Sequence, residues 1–130
     1  MEEITMQLNF DDGIIKRLQE YVVKNAKILL DLDDGSGPYT NHAIACSMGI
    51  NYRIIMVNND ANIDDYQEEL KSNLGIVYSK KYANYTLATN MKLGIKPPFN
   101  TWQLSGTNML IDDSVEFVTK YFQEVPNNGK

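Results

Sequence analysis

Cys46 is the only cysteine of this chain, and the only histidine, His42, lies four residues before it. Thiolate and imidazole are the side chains that suit soft and borderline transition metals, and a thiolate is also a nucleophile. On a helix the H-x3-C spacing would place both groups on one face, and in a loop they could still converge. A structural zinc site takes four protein ligands, and iron–sulfur clusters take four thiolates or a mixture with histidine. One chain supplies two donors. Two copies meeting at this segment would supply two cysteines and two histidines, a chemically sufficient set. The plainer reading is a loop histidine beside a buried, inert cysteine that behaves as a small hydrophobe.

Other motifs carry less chemistry. Asp31, Asp33 and Asp34 ahead of Gly35 look like a calcium loop, but the fifth position that should hold a ligand is Gly35 itself. A strand end followed by a solvated acidic turn is the expectation there. Gly35-Ser36-Gly37-Pro38 could present amides to an anion, yet it lacks the G-K-[ST] ending of a phosphate loop. No serine stands in a G-x-S-x-G elbow, and a Cys46–His42 nucleophile would have no third group to orient it. No catalytic residue is therefore assigned, and the chain is not expected to be an enzyme. Eight tyrosines and Trp102 lack the basic interleaving of a nucleic-acid platform and read as sheet residues.

With 130 residues, 43% of them hydrophobic, the chain is expected to fold as one domain, residues 1–125, with 126–130 a disordered tail. The net charge of −5 opposes nucleic acid and anionic lipid. No apolar stretch approaches the ~20 residues of a membrane span, and the acidic start is unlike a signal peptide. An unpaired cysteine gives no sign of an oxidising compartment, so the cytoplasm is the expected location.

These side chains need a scaffold, and hydrophobic periodicity supplies its outline. Ile4, Met6, Leu8 and Phe10 alternate as a half-buried strand. Asp11 and Asp12 offer a helix N-cap, and Ile14, Ile15, Leu18, Tyr21 and Val22 then form one helical face up to a stop at Asn25. Lys27 to Asp33 and Tyr52 to Val57 read as buried strands around the long connection that carries His42 and Cys46. Ile63 to Lys71 is acidic and fits a short helix or a solvated loop. Gly75 to Ser79, Tyr85 to Ala88, Met91 to Ile95 and Thr101 to Ser105 are short β-runs, with Trp102 and Leu104 on one face and Pro97-Pro98 interrupting the pairing. Val115 to Thr119 fits a strand better than the helix that Val115, Val118 and Phe122 would allow. One early helix followed by short strands predicts a β-rich α+β domain.

In this order the elements resemble the HesB-like, or A-type carrier, family of iron–sulfur cluster biosynthesis proteins, in particular its short bacterial members. The resemblance rests on the opening strand and helix and on Lys27-Ile28-Leu29-Leu30-Asp31-Leu32-Asp33-Asp34-Gly35-Ser36-Gly37. It continues through Asn73-Leu74-Gly75-Ile76-Val77-Tyr78, Asn90-Met91-Lys92-Leu93 and Trp102-Gln103-Leu104-Ser105-Gly106-Thr107-Asn108, covering roughly residues 4–119. It implies a β-sandwich or distorted barrel of short, mostly antiparallel strands with an N-terminal helix against it. It also implies a role in iron–sulfur cluster biosynthesis, with assembly proteins or apo-protein acceptors as partners. The carriers hold iron or a cluster through one cysteine after the second strand and a Cys-Gly-Cys near the C-terminus, usually across a dimer. This chain has no thiol at Gly35 to Gly37 and none after Asn108. If iron or a cluster is bound, Cys46 and His42 in a homodimer are the ligands to expect; the alternative is a metal-free protein- or small-molecule-binding module on the same fold.

Overall fold

A computed structural model of the chain describes residues 6–33, 39, 51–80 and 87–124. Eight strands surround one core: β1 (Gln7–Phe10), β2 (Lys27–Leu32), β3 (Tyr52–Val57), β4 (Glu68–Ser72), β5 (Gly75–Ser79), β6 (Asn90–Lys96), β7 (Thr101–Gly106) and β8 (Leu110–Val118). Among the described residues there is a single helix, α1 (Asp12–Val22), which follows β1. The strands close into a barrel in the order β1-β4-β5-β2-β3-β8-β7-β6. Closure pairs every strand on both sides and leaves no free edge.

Period-2 alternation sends Leu8 and Phe10, Ile28, Leu30 and Leu32, Ile54 and Met56, Leu93, and Trp102 with Leu104 into the barrel. Ile14 and Leu18, one turn apart on α1, are fully buried against the same core, so the helix packs on the barrel with one face. Strands β2 and β3 are buried on both faces. Their outward residues Leu29, Ile55 and Val57 pack with Tyr66 and Val118 in a second cluster, covered by Ala61 and Ile63 of the β3–β4 connection. That double burial explains why Ile28-Leu29-Leu30 is continuously apolar.

The α+β barrel with its N-terminal helix agrees with the sequence-based expectation, but its pairing does not divide as expected. Only β2–β3, β4–β5, β6–β7 and β7–β8 are antiparallel. The pairs β1–β4, β1–β6, β2–β5 and β3–β8 are parallel, so the ladders are evenly split rather than mostly antiparallel. The antiparallel pairs are all consecutive in sequence. Every parallel pair joins strands distant in sequence, because a parallel pair needs a crossover that close spacing cannot provide.

Three local expectations also change. Glu68–Ser72 is a strand rather than part of an acidic helix or loop, with Leu70 alone fully buried. Leu87 and Ala88 lie outside any strand, while Tyr85 and Thr86 are outside the described residues, as are residues 34–38 and the tail at 126–130. Asp11 does occupy the N-cap of α1, yet its side chain makes no cap hydrogen bond. Its carboxylate instead accepts from the Ile95 amide at 3.3 Å and faces Lys92 Nζ at 3.5 Å. Glycine at 94 makes that possible, since a Cβ there would stand 2.5 Å from Asp11 Oδ2. The helix ends at Val22, and the turn after it closes at the expected stop, Asn25, whose φ of 67° is the left-handed conformation that asparagine tolerates.

Candidate functional site

The antiparallel register of β2 and β3 sets Asp31 directly opposite Arg53 on the outward face of the barrel. Both are nearly inaccessible, Asp31 at 1% and Arg53 at 3% exposure. The Asp31 carboxylate accepts from Arg53 Nε at 3.1 Å and also from Arg53 Nη2. Its other oxygen, Oδ1, accepts the Tyr66 hydroxyl at 2.6 Å and lies 3.2 Å from Lys80 Nζ. Lys80, immediately after β5, donates to the Leu32 carbonyl at 3.0 Å as well. The carboxylate thus gathers groups from three other parts of the chain. A buried ion pair is held only when such additional hydrogen bonds offset its desolvation.

A second carboxylate stands beside this cluster. Asp33, two residues along the same face, has a side chain 2% exposed and one oxygen 4.0 Å from Arg53 Nη2. Among the described residues, neither of its oxygens finds a hydrogen-bond donor. Asp31 and Asp33 against Arg53 and Lys80 leave the cluster formally neutral. Asp31 and Asp33, at the strand end expected ahead of an acidic turn, both have buried side chains, because Arg53 of β3 and Lys80 after β5 come together on that face; the turn itself lies outside the described residues.

Burial, helped by the adjacent Asp31 charge, raises the Tyr66 hydroxyl well above the ordinary tyrosine range and keeps it a hydrogen-bond donor. Tyr39 is raised too, first by burial and then by Tyr121. For Arg53, burial works against the charged form, but the bond to Asp31 and the charges of Asp31 and Asp33 outweigh it. The guanidinium is held cationic. These groups make a fastening rather than an acid–base pair, since each proton is locked where it already sits.

The fastening lies at the root of the segment that carries His42 and Cys46. Asp33 donates its amide to the Asn51 carbonyl at 2.9 Å, so the two ends of residues 34–50 are joined across the start of the β2–β3 ladder. Between them, the Tyr39 carbonyl accepts from Arg53 Nη2 at 2.7 Å. The Tyr39 ring packs edge-on to Tyr121 at 4.7 Å and lies 6.1 Å from Tyr66. His42 and Cys46 themselves lie outside the described residues. A cleft of about 350 Å³ opens beside the root, lined by Asp33, Asn51, Tyr52, Arg53, Ser114 and Glu116.

Sequence patterns had pointed to Asp31 and Asp33 only as a failed calcium loop, and had not singled out Arg53, Tyr66 or Lys80. The available signal was a charge inside each of two apolar strands, Asp31 in KILLDL and Arg53 in YRIIMV. A charge in a strand buried on both faces needs a partner. Among the described residues, no three histidine, cysteine, aspartate or glutamate side chains come together to hold a metal. The donor set of one chain, one thiol and one imidazole, does not fit a closed iron or cluster site. None of the described helices is long and apolar enough to cross a membrane.

The barrel is shared with two solved structures, each of a "putative Fe-S biosynthesis protein". The Lactobacillus salivarius protein, reported to have a novel fold, is 29% identical; the similarity spans 91% of this chain and all of that one, with a TM-score of 0.77. The Lactobacillus acidophilus protein is 22% identical over 88% of this chain and 90% of its own, with a TM-score of 0.66, a likeness of fold. No curated protein matches the chain. Residues 6–119, nearly the whole described barrel, match the family profile described as iron-sulphur cluster biosynthesis. The chain belongs to the iron-sulphur cluster biosynthesis family.

Proposed function

We propose that this protein takes part in iron–sulfur cluster biosynthesis as a non-catalytic component that handles iron or a cluster as cargo between two copies of itself. Cys46 and His42 of each copy are the ligands in this reading. The observation that carries it is the family match over residues 6–119, taken together with the donor count. A single chain cannot complete four-coordination, whereas two chains bring two thiolates and two imidazoles, a mixed set of the kind that clusters accept. His42 and Cys46 belong to the connection between β2 and β3, and in this reading the copies meet through that connection. The partners are then assembly proteins and apo-protein acceptors, and the expected setting is the cytoplasm.

Anaerobic reconstitution with iron and sulfide tests the proposal. The expected outcome is thiolate-to-iron absorption with metal and sulfide in the dimer fraction, lost in Cys46→Ser and weakened in His42→Ala. A wild-type protein that stays colourless and monomeric would leave the metal-free reading, a binding module on the family fold. That second reading is favoured by one observation: the positions where the carriers bear cysteines hold none in this chain.

A further inference from the structure

We infer that the notch between α1 and the start of β7 is a binding site for a small monocarboxylate carrying an apolar group, with Arg17 receiving the carboxylate. The inference goes beyond the proposed role in cluster biosynthesis and involves no metal. Strand β8 runs on to Val118, past its last pairing with β7, where Trp102 stands opposite Val115. Phe117 lies in that overrun. It stacks on Trp102 with ring centroids 4.8 Å apart and meets Tyr21 of α1 edge-on at 5.9 Å. Arg17, one helical turn before Tyr21 and on the same face, holds its guanidinium carbon 5.4 Å from the centre of the Phe117 ring. A cleft of about 250 Å³ opens here, and Asn100, Thr101 and Ser114 line it together with Arg17, Trp102 and Phe117.

The lining contains one cation and no carboxylate, in a chain of net charge −5. Among the described residues, the Arg17 guanidinium rests on the Phe117 ring and meets no hydrogen-bond acceptor or carboxylate. A guanidinium held by an aromatic face keeps its in-plane fork of N–H groups for a planar anion with two oxygens. An exposed ion pair contributes little by itself, so a bare anion would gain too little to stay. The stacked Trp102–Phe117 pair adds apolar surface for a hydrocarbon group attached to the carboxylate. The volume lies below that of clefts for drug-sized ligands, which limits the occupant to a small one. The negative charge of the chain opposes a polyanion, so a single carboxylate is the matching charge.

Trp102 is the only tryptophan, and its indole N–H signal in a nitrogen-edited NMR spectrum of the full chain reports on this cleft. Benzoate is the probe, benzamide its neutral counterpart, and inorganic phosphate an anion without an apolar group. The expected result is a saturable Trp102 shift with benzoate at a Kd of about 1–10 mM, ordinary for a ligand of about nine non-hydrogen atoms. Arg17→Gln exchanges one good helix former for another and should weaken benzoate about tenfold, the weight of a hydrogen bond to a charged group. Arg17→Lys keeps the charge but gives up the fork, with an expected loss of about threefold. Lys16→Gln removes the same charge from the next position of α1, outside the cleft, and should change the Kd by less than about twofold at physiological salt.

A Trp102 signal that does not shift saturably with benzoate overturns the inference. Benzamide binding as tightly as benzoate overturns it too, since Arg17 then receives nothing, and so does phosphate binding as tightly, since the apolar floor is then idle. The backbone spectrum shows whether each variant is folded. Folded Arg17→Gln and Arg17→Lys that both bind benzoate as wild type does would remove Arg17 from the site and the inference with it.

Discussion

Asp31 and Asp33 are two residues apart, share one face of the barrel and both have buried side chains, yet removal of charge should cost far more at Asp31 than at Asp33. Asp31→Asn takes the anion away from two Arg53 donors, the Tyr66 hydroxyl and Lys80 Nζ, so two buried cations lose the carboxylate that faces them both. Breaking a buried ion pair in this way costs about 3–5 kcal/mol. A domain of this kind has a total stability of about 5–15 kcal/mol, so the loss is a large share of it. At a urea slope of about 1–3 kcal/mol/M, the midpoint should fall by roughly 2 M. Asp33→Asn removes a carboxylate that accepts no hydrogen bond from the described residues and stands 4.0 Å from Arg53, so its change should stay below about 1 kcal/mol. Urea unfolding followed by circular dichroism at neutral pH measures both. The reasoning fails if Asp31→Asn moves the midpoint no more than Asp33→Asn does.

Two further predictions concern Tyr66, in the same cluster, and Asn73, at the seam between β1 and β4. The Tyr66 hydroxyl is raised above its ordinary value of 10.0, so its stabilisation is complete below about pH 10. Above that pH the unfolded chain releases the proton while the folded chain keeps it, and stability falls by up to about 1.4 kcal/mol per pH unit for this group. Urea midpoints at pH 9, 10 and 11 should drop less steeply in Tyr66→Phe than in wild type. Asn73 closes the seam between β1 and β4: its amide accepts from the Phe10 N–H and donates to the Phe10 carbonyl, both at 3.0 Å. Asn73→Ala leaves both main-chain groups unpaired and should cost about 2 kcal/mol, with faster hydrogen exchange at the Phe10 amide.

Much of the scaffold was legible because its segments satisfy local rules. Ile14 and Leu18 repeat at helical spacing and are the two fully buried residues of α1. Strands β3 and β5 keep the limits that their apolar runs predict. The acidic strand β4 was hidden, because Glu68, Glu69, Lys71 and Ser72 surround the single inward Leu70. Strand β8 looked partly helical for a different reason. Val115 faces the barrel core and Val118 the outer cluster, so burial on opposite faces produces a spacing of three. The candidate ligands Cys46 and His42 were conspicuous by residue type alone, whereas the charged cluster at the root of their segment was not. Arg53 reads as one charge in an apolar run, and nothing near it in sequence names Asp31 or Tyr39 as its partners.

The sequence by itself determined the supply of soft and borderline donors, one thiol and one imidazole per chain, too few for a closed site built from those two types alone. It also determined the helix and most of the strands, because burial of alternating or 3.6-periodic side chains is a local property. Only the tertiary structure decided how those strands close and which charges meet. The bonds that build the root of the site join residues 22 and 35 positions apart, and parallel pairing brings β5, with Lys80 at its end, alongside β2. Such contacts follow from register and crossover, which depend on the whole barrel closing rather than on any stretch of the chain.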